Sequence, residues 1–301
     1  MSCGRVALER ANIKVDKYYA SEIDKWAIKI AQKNYPDTIQ LGDIKEIDDK
    51  VLDNLPKIDL VIGGSPCQNL SRTVIDRVKH NQGLDGEKSS LFYEYARILE
   101  WVKNNNSQNV YFLLENVGGM SNEDKDIISE FLNVEPSLID SNLFSAQNRF
   151  RYYWTNINVP ELPEDKGFVL KDIIEPIEKV NEFEKNNRLK VWYDEDFEFH
   201  GYDKKVIATL GINGHDILKR VYNLNDKCAT LTTCTGGNRQ KKVFQDGRCR
   251  KLLPIEYERL QTLIDNYTEG VSNTQRYNML GNGWTVDVIA HIFKGIKEET
   301  N

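Results

Sequence analysis

The chain has 301 residues, of which 40% are hydrophobic and 29% charged, so it can bury a substantial core as one large domain or two modest ones. No apolar run approaches membrane-spanning length and no charged-then-apolar leader opens the sequence, which argues against a membrane or secreted protein and for the cytoplasm. The net charge of -6 argues mildly against a nucleic-acid partner, and the five scattered cysteines form no CxxC pair, so neither a disulfide framework nor a zinc site is indicated.

In chain order, the first half alternates short apolar runs with helix-like stretches, the pattern of a parallel α/β sheet. Strands are predicted over 17–21, 38–41 and 58–62, the last ending in Gly63-Gly64, with a helix over 25–34 between the first two. Residues 90–103 place Leu91, Tyr95, Ile98, Leu99 and Val102 at helical spacing. The clearest buried strand spans 110–114, and a helix follows over 124–132. Residues 161–203 are rich in charge and poor in periodicity, and the stretch to 247 mixes short β-branched segments with Gly and Asn, so this part reads as a loop-rich or β-rich insertion. Helical signals return at 254–263, 274–280 and 286–296. The expected division is a first domain over 1–160, a smaller irregular one over 161–250, and helices over 251–301 that return to the first.

Charge is uneven along the chain. Residues 238–251 hold Arg239, Lys241, Lys242, Arg248, Arg250 and Lys251 against only Asp246, a basic patch of the kind that meets phosphates or simply faces water.

In a parallel α/β sheet, ligands bind beyond the carboxyl ends of the strands. Each predicted strand there leads to a chemically capable residue: 17–21 to Glu22, 38–41 to Gly42-Asp43, 58–62 through Gly63-Gly64-Ser65-Pro66 to Cys67, and 110–114 to Glu115 and Asn116. Taken singly, Glu22 and Asp43 could be helix caps and Cys67 a buried filler. Two glycines that admit another molecule, then a proline that stiffens the loop, are however a poor setting for filler. Glu115, at the end of a very apolar strand, is expected to be protonated or hydrogen-bonded. A thiolate beside a carboxylic acid suits addition to an electron-poor ring.

The motifs Gly63-Gly64-Ser65-Pro66-Cys67-Gln68-Asn69-Leu70-Ser71, Leu114-Glu115-Asn116-Val117, Gln147-Asn148-Arg149-Phe150-Arg151, the arginine–glutamine helix from Arg250 to Gln261, and Gly281-Asn282-Gly283-Trp284-Thr285-Val286 follow one another in one order. In these the chain resembles the cytosine-C5 DNA methyltransferase family, over nearly its whole length except an insertion over 160–227. Trp284 and the run Tyr152-Tyr153-Trp154 are similar to the de novo branch found in animals and in bacterial and phage relatives.

The resemblance implies a Rossmann-like sheet that uses S-adenosyl-L-methionine, with a smaller target-recognition domain, acting on double-stranded DNA by flipping out the target cytosine. It implies Cys67 as nucleophile at C6, Glu115 as proton donor at N3, and Arg149 and Arg151 holding the base or ordering the loop. The cofactor would meet Met1, Ser2, Cys3, Glu22, Ile23, Asp43, Ile44, Pro66, Leu91, Asn282, Gly283 and Trp284. DNA would meet Gln68, Ser71, Arg72, Gln147, Thr233, Gly236, Gly237, Asn238 and Arg239, with 68–86 as a closing catalytic loop. A cognate restriction endonuclease encoded nearby is a further implied partner. Other readings are a non-catalytic DNA-binding homologue and, further off, a methyltransferase acting on transfer RNA.

The family opens with an apolar strand and a loop of the form Phe-x-Gly-x-x-x-Gly. Met1-Ser2-Cys3-Gly4-Arg5-Val6-Ala7-Leu8-Glu9 matches only the tail of that loop and the helix after it. The first strand is therefore expected to be missing from the sheet, leaving two neighbours with unpaired backbone edges. A start assigned at an internal methionine explains this, and a truncated gene is the alternative.

Overall fold

The structure, a computed structural model, describes residues 1–64, 91–106, 110–234 and 237–298. Cys67, Pro66, Gln68, Ser71, Arg72 and Gly236, with the 68–86 loop, lie outside the described residues.

Helix α1 (Cys3–Arg10) buries an almost continuous face and packs on the last helix, α10 (Val286–Glu298). Strand β1 (Tyr19–Ser21) leads to α2 (Lys25–Asn34), which starts where the Asp24 carboxylate accepts from the Trp26 and Ala27 N–H groups. Next come β2 (Ile39–Gly42), α3 (Asp49–Asp53), β3 (Leu60–Gly64), α4 (Leu91–Asn105), β4 (Tyr111–Val117) and α5 (Asn122–Leu132). Ser121 caps the start of α5, and Asn133 ends it in the left-handed conformation. A hairpin of β5 (Ser137–Asp140) and β6 (Phe150–Thr155) follows.

Beyond α6 (Ile177–Asn187) stand β7 (Phe197–Phe199), β8 (Val206–Leu210), α7 (Asp216–Lys219), β9 (Arg220–Tyr222), β10 (Lys242–Gln245) and β11 (Arg248–Lys251). The chain closes with α8 (Pro254–Leu260), α9 (Asn273–Asn282) and α10.

Among the described residues the strands form three sheets. One is the parallel pair β1-β2, one runs β3-β4-β6-β5, and one runs β11-β10-β9-β8-β7. No ladder joins β1-β2 to β3-β4, although both pairs are parallel and Tyr18, Leu60, Ile62 and Leu113 share one core with α1. The break falls where the resemblance implied a lacking strand. Gly4 of α1 lies against both the Ile62 side chain of β3 and the Tyr18 hydroxyl, so a side chain there would collide with both. Arg5 beside it is buried against the rings of Tyr18 and Tyr35 and pairs with Asp37, while its Nε and Nη1 have no hydrogen-bond partner.

Of the loop-rich and β-rich readings of the insertion, the β-rich one holds: it carries a five-stranded sheet around a core of Trp192, Ile207, Leu210, Val221 and Cys249. One sequence expectation needs correction, since the 238–251 segment is not an exposed basic patch. Lys241, Lys242, Arg248 and Arg250 are all buried, and the two arginines pair with Glu184 and Glu256. Carboxylate partners hold the two arginines out of water, and backbone carbonyls accept from Lys242. No helix among the described residues is long and apolar enough to cross a membrane.

Candidate active site

The carboxyl ends of the parallel strands carry the expected residues. Glu22 follows β1, Asp43 follows β2, and Gly64 closes β3 directly opposite Glu115 of β4. Glu115 lies inside β4 rather than after it, because that strand runs on to Val117. It is 8% exposed, and both of its oxygens have partners. Arg151 of β6 brings its Nε to 2.8 Å from Oε1, and the Trp284 indole N–H donates to Oε2 at 3.2 Å. The antiparallel register, with Tyr153 opposite Glu115 and Arg151 opposite Val117, is what brings arginine and glutamate diagonally together on one face.

Gly64 leaves little room to spare in this geometry. A Cβ there would stand 3.0 Å from the Trp284 indole nitrogen and 3.4 Å from Glu115 Oε2. The glycine thus lets the tryptophan lie across the end of β3, three residues before Cys67.

Arg149 ties neighbouring loops together, and Gln147 does different work from that expected. Arg149 is buried, and its guanidinium donates to the carbonyls of Leu231 (2.9 Å), Gly283 (2.8 Å) and Gly281 (3.3 Å). Gln147, expected on the DNA surface, is fully buried. Its amide donates to the Leu260 carbonyl and to Gln261 Oε1, and its oxygen accepts from the Leu231 N–H. With every polar atom engaged inside, it has nothing left to offer a base, and this expectation is overturned.

Gln261 completes the linkage by donating to the carbonyls of Leu280 and Gly283 and accepting from the Thr285 hydroxyl. Sequence reading passed over Gln261 as an individual residue. Its only signal was its place at the end of the arginine–glutamine helix.

Around the cofactor positions, Ile23 is 73% exposed beside Glu22, whose Oε1 accepts from the Ile23 and Asp24 N–H groups. Asp43 Oδ1 accepts from the Lys45 N–H, and Ile44 follows it half-buried. Met1 and Cys3 lie against Gly283, and the Met1 carbonyl accepts from the Tyr267 hydroxyl. Ser2 between them is in the left-handed conformation. Asn282 is within 3.4 Å of the Thr233 hydroxyl, so the cofactor-side and DNA-side positions touch there. Leu91 opens α4, half-buried. An exposed apolar side chain flanked by two carboxylates fits a nucleoside, with its flat base and hydroxyl and amino donors.

Asn238 is half-buried, whereas Gly237 and Arg239 are exposed. The four described cysteines Cys3, Cys228, Cys234 and Cys249 are all buried. Burial pushes each of these thiols up, Cys228 and Cys249 to about 12, which makes them poor thiolate nucleophiles.

Comparison with known proteins agrees with this arrangement. The chain is similar to the type II methyltransferase M1.ScrFI of Lactococcus lactis subsp. cremoris, at 28% identity over 95% of this chain and 73% of that one. It is 25% identical to the orphan methyltransferase M.SPBetaI of Bacillus phage SPbeta over 96% of this chain and 93% of that one. Its fold matches the Dnmt2 methyltransferase of S. pombe with a TM-score of 0.63 and 17% identity, over 99% of this chain and 96% of that one. The family model for C-5 cytosine-specific DNA methylase matches residues 2–298, and the chain belongs to that family of S-adenosylmethionine-dependent enzymes.

Proposed function

We propose that this chain methylates C5 of a cytosine swung out of duplex DNA, with Cys67 as nucleophile and Glu115, Arg151 and Trp284 as the base-holding group. The observation that carries the reading is the cluster of Glu115, Arg151 and Trp284 packed across Gly64, three residues ahead of Cys67. The Cys67 thiolate adds to C6, forming the carbon–sulfur bond and pushing an electron pair towards C5. Glu115 gives N3 a proton as negative charge builds up on the ring. Arg151 fixes the carboxyl group, and Trp284 holds its second oxygen. Once C5 carries the methyl group, its proton passes to solvent and the C–H electron pair re-forms the C5–C6 double bond. The C6–sulfur pair leaves with Cys67 and N3 returns its proton to Glu115, which restores the aromatic ring.

S-adenosylmethionine, when bound, supplies an electrophilic methyl group. Glu22 would accept from its ribose hydroxyls, Ile23 would cover the adenine face, and Asp43 would accept from the adenine amino group. Ile44 would donate from its backbone, and Met1, Ser2, Cys3, Pro66, Leu91, Asn282, Gly283 and Trp284 would line the remainder. Arg149 is a positioning residue in this reading, since its guanidinium ties the 281–283 turn to Leu231. The sheet-bearing 161–250 segment, with Thr233, Gly237, Asn238 and Arg239, would face DNA, between the catalytic parts 1–160 and 251–301.

A nearby restriction endonuclease is proposed on the type II designation of the Lactococcus relative. Sequencing the adjoining genes tests it.

Replacing Cys67 with Ser is the direct test of the mechanism. Methyl transfer to duplex DNA from labelled S-adenosylmethionine should vanish, while binding of the same duplex stays within a few-fold. Full activity in the serine variant would remove the covalent step.

A further inference from the structure

Two lysines inside the five-stranded sheet are used by none of the chemistry above. Lys242 of β10 and Lys251 of β11 stand directly opposite each other in the antiparallel register. Like charges so placed repel and weaken a strand pair, so something must hold them there. Lys242 is 1% exposed, and its ammonium group has three acceptors, the carbonyls of Leu218 (2.8 Å), Asn238 (2.7 Å) and Gln240 (2.9 Å). Three donors thus meet three carbonyls. Lys251 donates to the Gly237 carbonyl at 2.7 Å. Both ammonium groups also lie 6.0 Å from the centre of the buried Trp192 ring, whose face attracts cations. Burial, with Lys251 and Lys241 close by, pushes Lys242 down to about 7.

Three of these four carbonyls belong to the short segment 237–240. Its backbone oxygens are therefore turned inward onto fixed cations. Gly237, in the left-handed conformation, and Arg239 remain exposed, with Asn238 half-buried. A loop held from within by charge-assisted hydrogen bonds presents its outer groups in one geometry and loses less entropy on binding. We propose that Lys242 and Lys251 are positioning residues that set the shape of the 237–240 loop and thereby the DNA sequence preference of the enzyme. The inference rests on the reading of this loop as part of the DNA-facing surface.

Full-length protein with Lys242→Met, Lys251→Met or Lys251→Arg tests it by two measurements. The first is amide hydrogen exchange over a peptide spanning 237–241. The second is selection from a randomised duplex library, which reads base preference without needing turnover. Both methionine variants should speed exchange in that peptide about tenfold or more, with the rest of the sheet unchanged, and Lys251→Arg should retain the parent's protection. Their selected consensus should lose several-fold discrimination at one or more positions, while binding of unselected duplex changes less than about threefold. Exchange that is unchanged, or that rises across the whole sheet, would overturn the inference. So would local loosening with an intact consensus, or the absence of any base preference in the unaltered chain. Because Lys242 is buried, the half-buried Lys251 variants keep the test valid if Lys242→Met fails to fold. Methyl transfer lost on Cys67→Ser is read separately, so the family chemistry can stand even where this inference falls.

Discussion

At the scale of single residues, the site is defined by what Glu115 can exchange. Its oxygens accept from Arg151 and Trp284, and the surrounding sheet leaves it 8% exposed. Glu115→Gln preserves the shape and one acceptor but has no proton to move to the ring nitrogen. General acid–base catalysis of this kind contributes about 10²–10⁴-fold. Single-turnover methyl transfer by Glu115→Gln should fall by that range, with the melting temperature and duplex affinity close to those of the parent. A fall of less than tenfold would take the proton transfer away from Glu115. Arg149 shows the opposite case. It stands two residues from Arg151 in the same motif, yet three carbonyl oxygens occupy its guanidinium.

At the scale of elements, β11 is tied to α8 by an ion pair with no exposure on either side. Arg250 donates through both terminal nitrogens to the Glu256 carboxylate, which also accepts from the Leu253 and Glu175 N–H groups. Glu256→Ala strips all of these at once and leaves a guanidinium buried without a counter-charge, a change that costs about 3–5 kcal/mol. Urea unfolding should record that loss, and Arg250→Met combined with Glu256→Leu should recover part of it. A cost below about 1 kcal/mol for Glu256→Ala would mean that water reaches Arg250.

The same pair explains what the sequence could and could not disclose. The helix over 25–34 stands as expected and the parallel strands shift by only one to three residues, because apolar periodicity and caps such as Asp24 are local signals. The β5–β6 hairpin was not foreseen, since Phe150–Thr155 runs aromatic on both faces and shows no alternation. Strands of three to five residues in the 197–251 sheet are likewise too short to show a period. The basic run at 238–251 misled because charge in sequence says nothing of a partner such as Glu184 or Glu256, distant in the chain or buried with it.

At the scale of the whole molecule, no ladder among the described residues joins β1-β2 to β3-β4. Both pieces are parallel pairs that share one core with α1, and Gly4 of that helix touches Tyr18 on one side and Ile62 on the other. Two sheet edges without a mutual ladder, and two donors of the buried Arg5 without acceptors, are each unfavourable. Glu22 directly follows β1 and Gly64 closes β3, so both halves of the site stand at the ends of these strands. A short apolar strand with a glycine-bearing loop, fused ahead of Met1, could pair with both edges at once. Each net hydrogen bond contributes about 1 kcal/mol, and each 1 kcal/mol raises the melting temperature of a chain this long by about 2–4 °C. The fused form should therefore melt several degrees higher and bind S-adenosylmethionine more tightly by titration calorimetry. A leader of equal length made of Gly and Ser is the control, because it adds mass without strand propensity. Equal gains from both leaders would show that the two edges do not take up a strand, and that the stability of the site comes from α1 and its contacts alone.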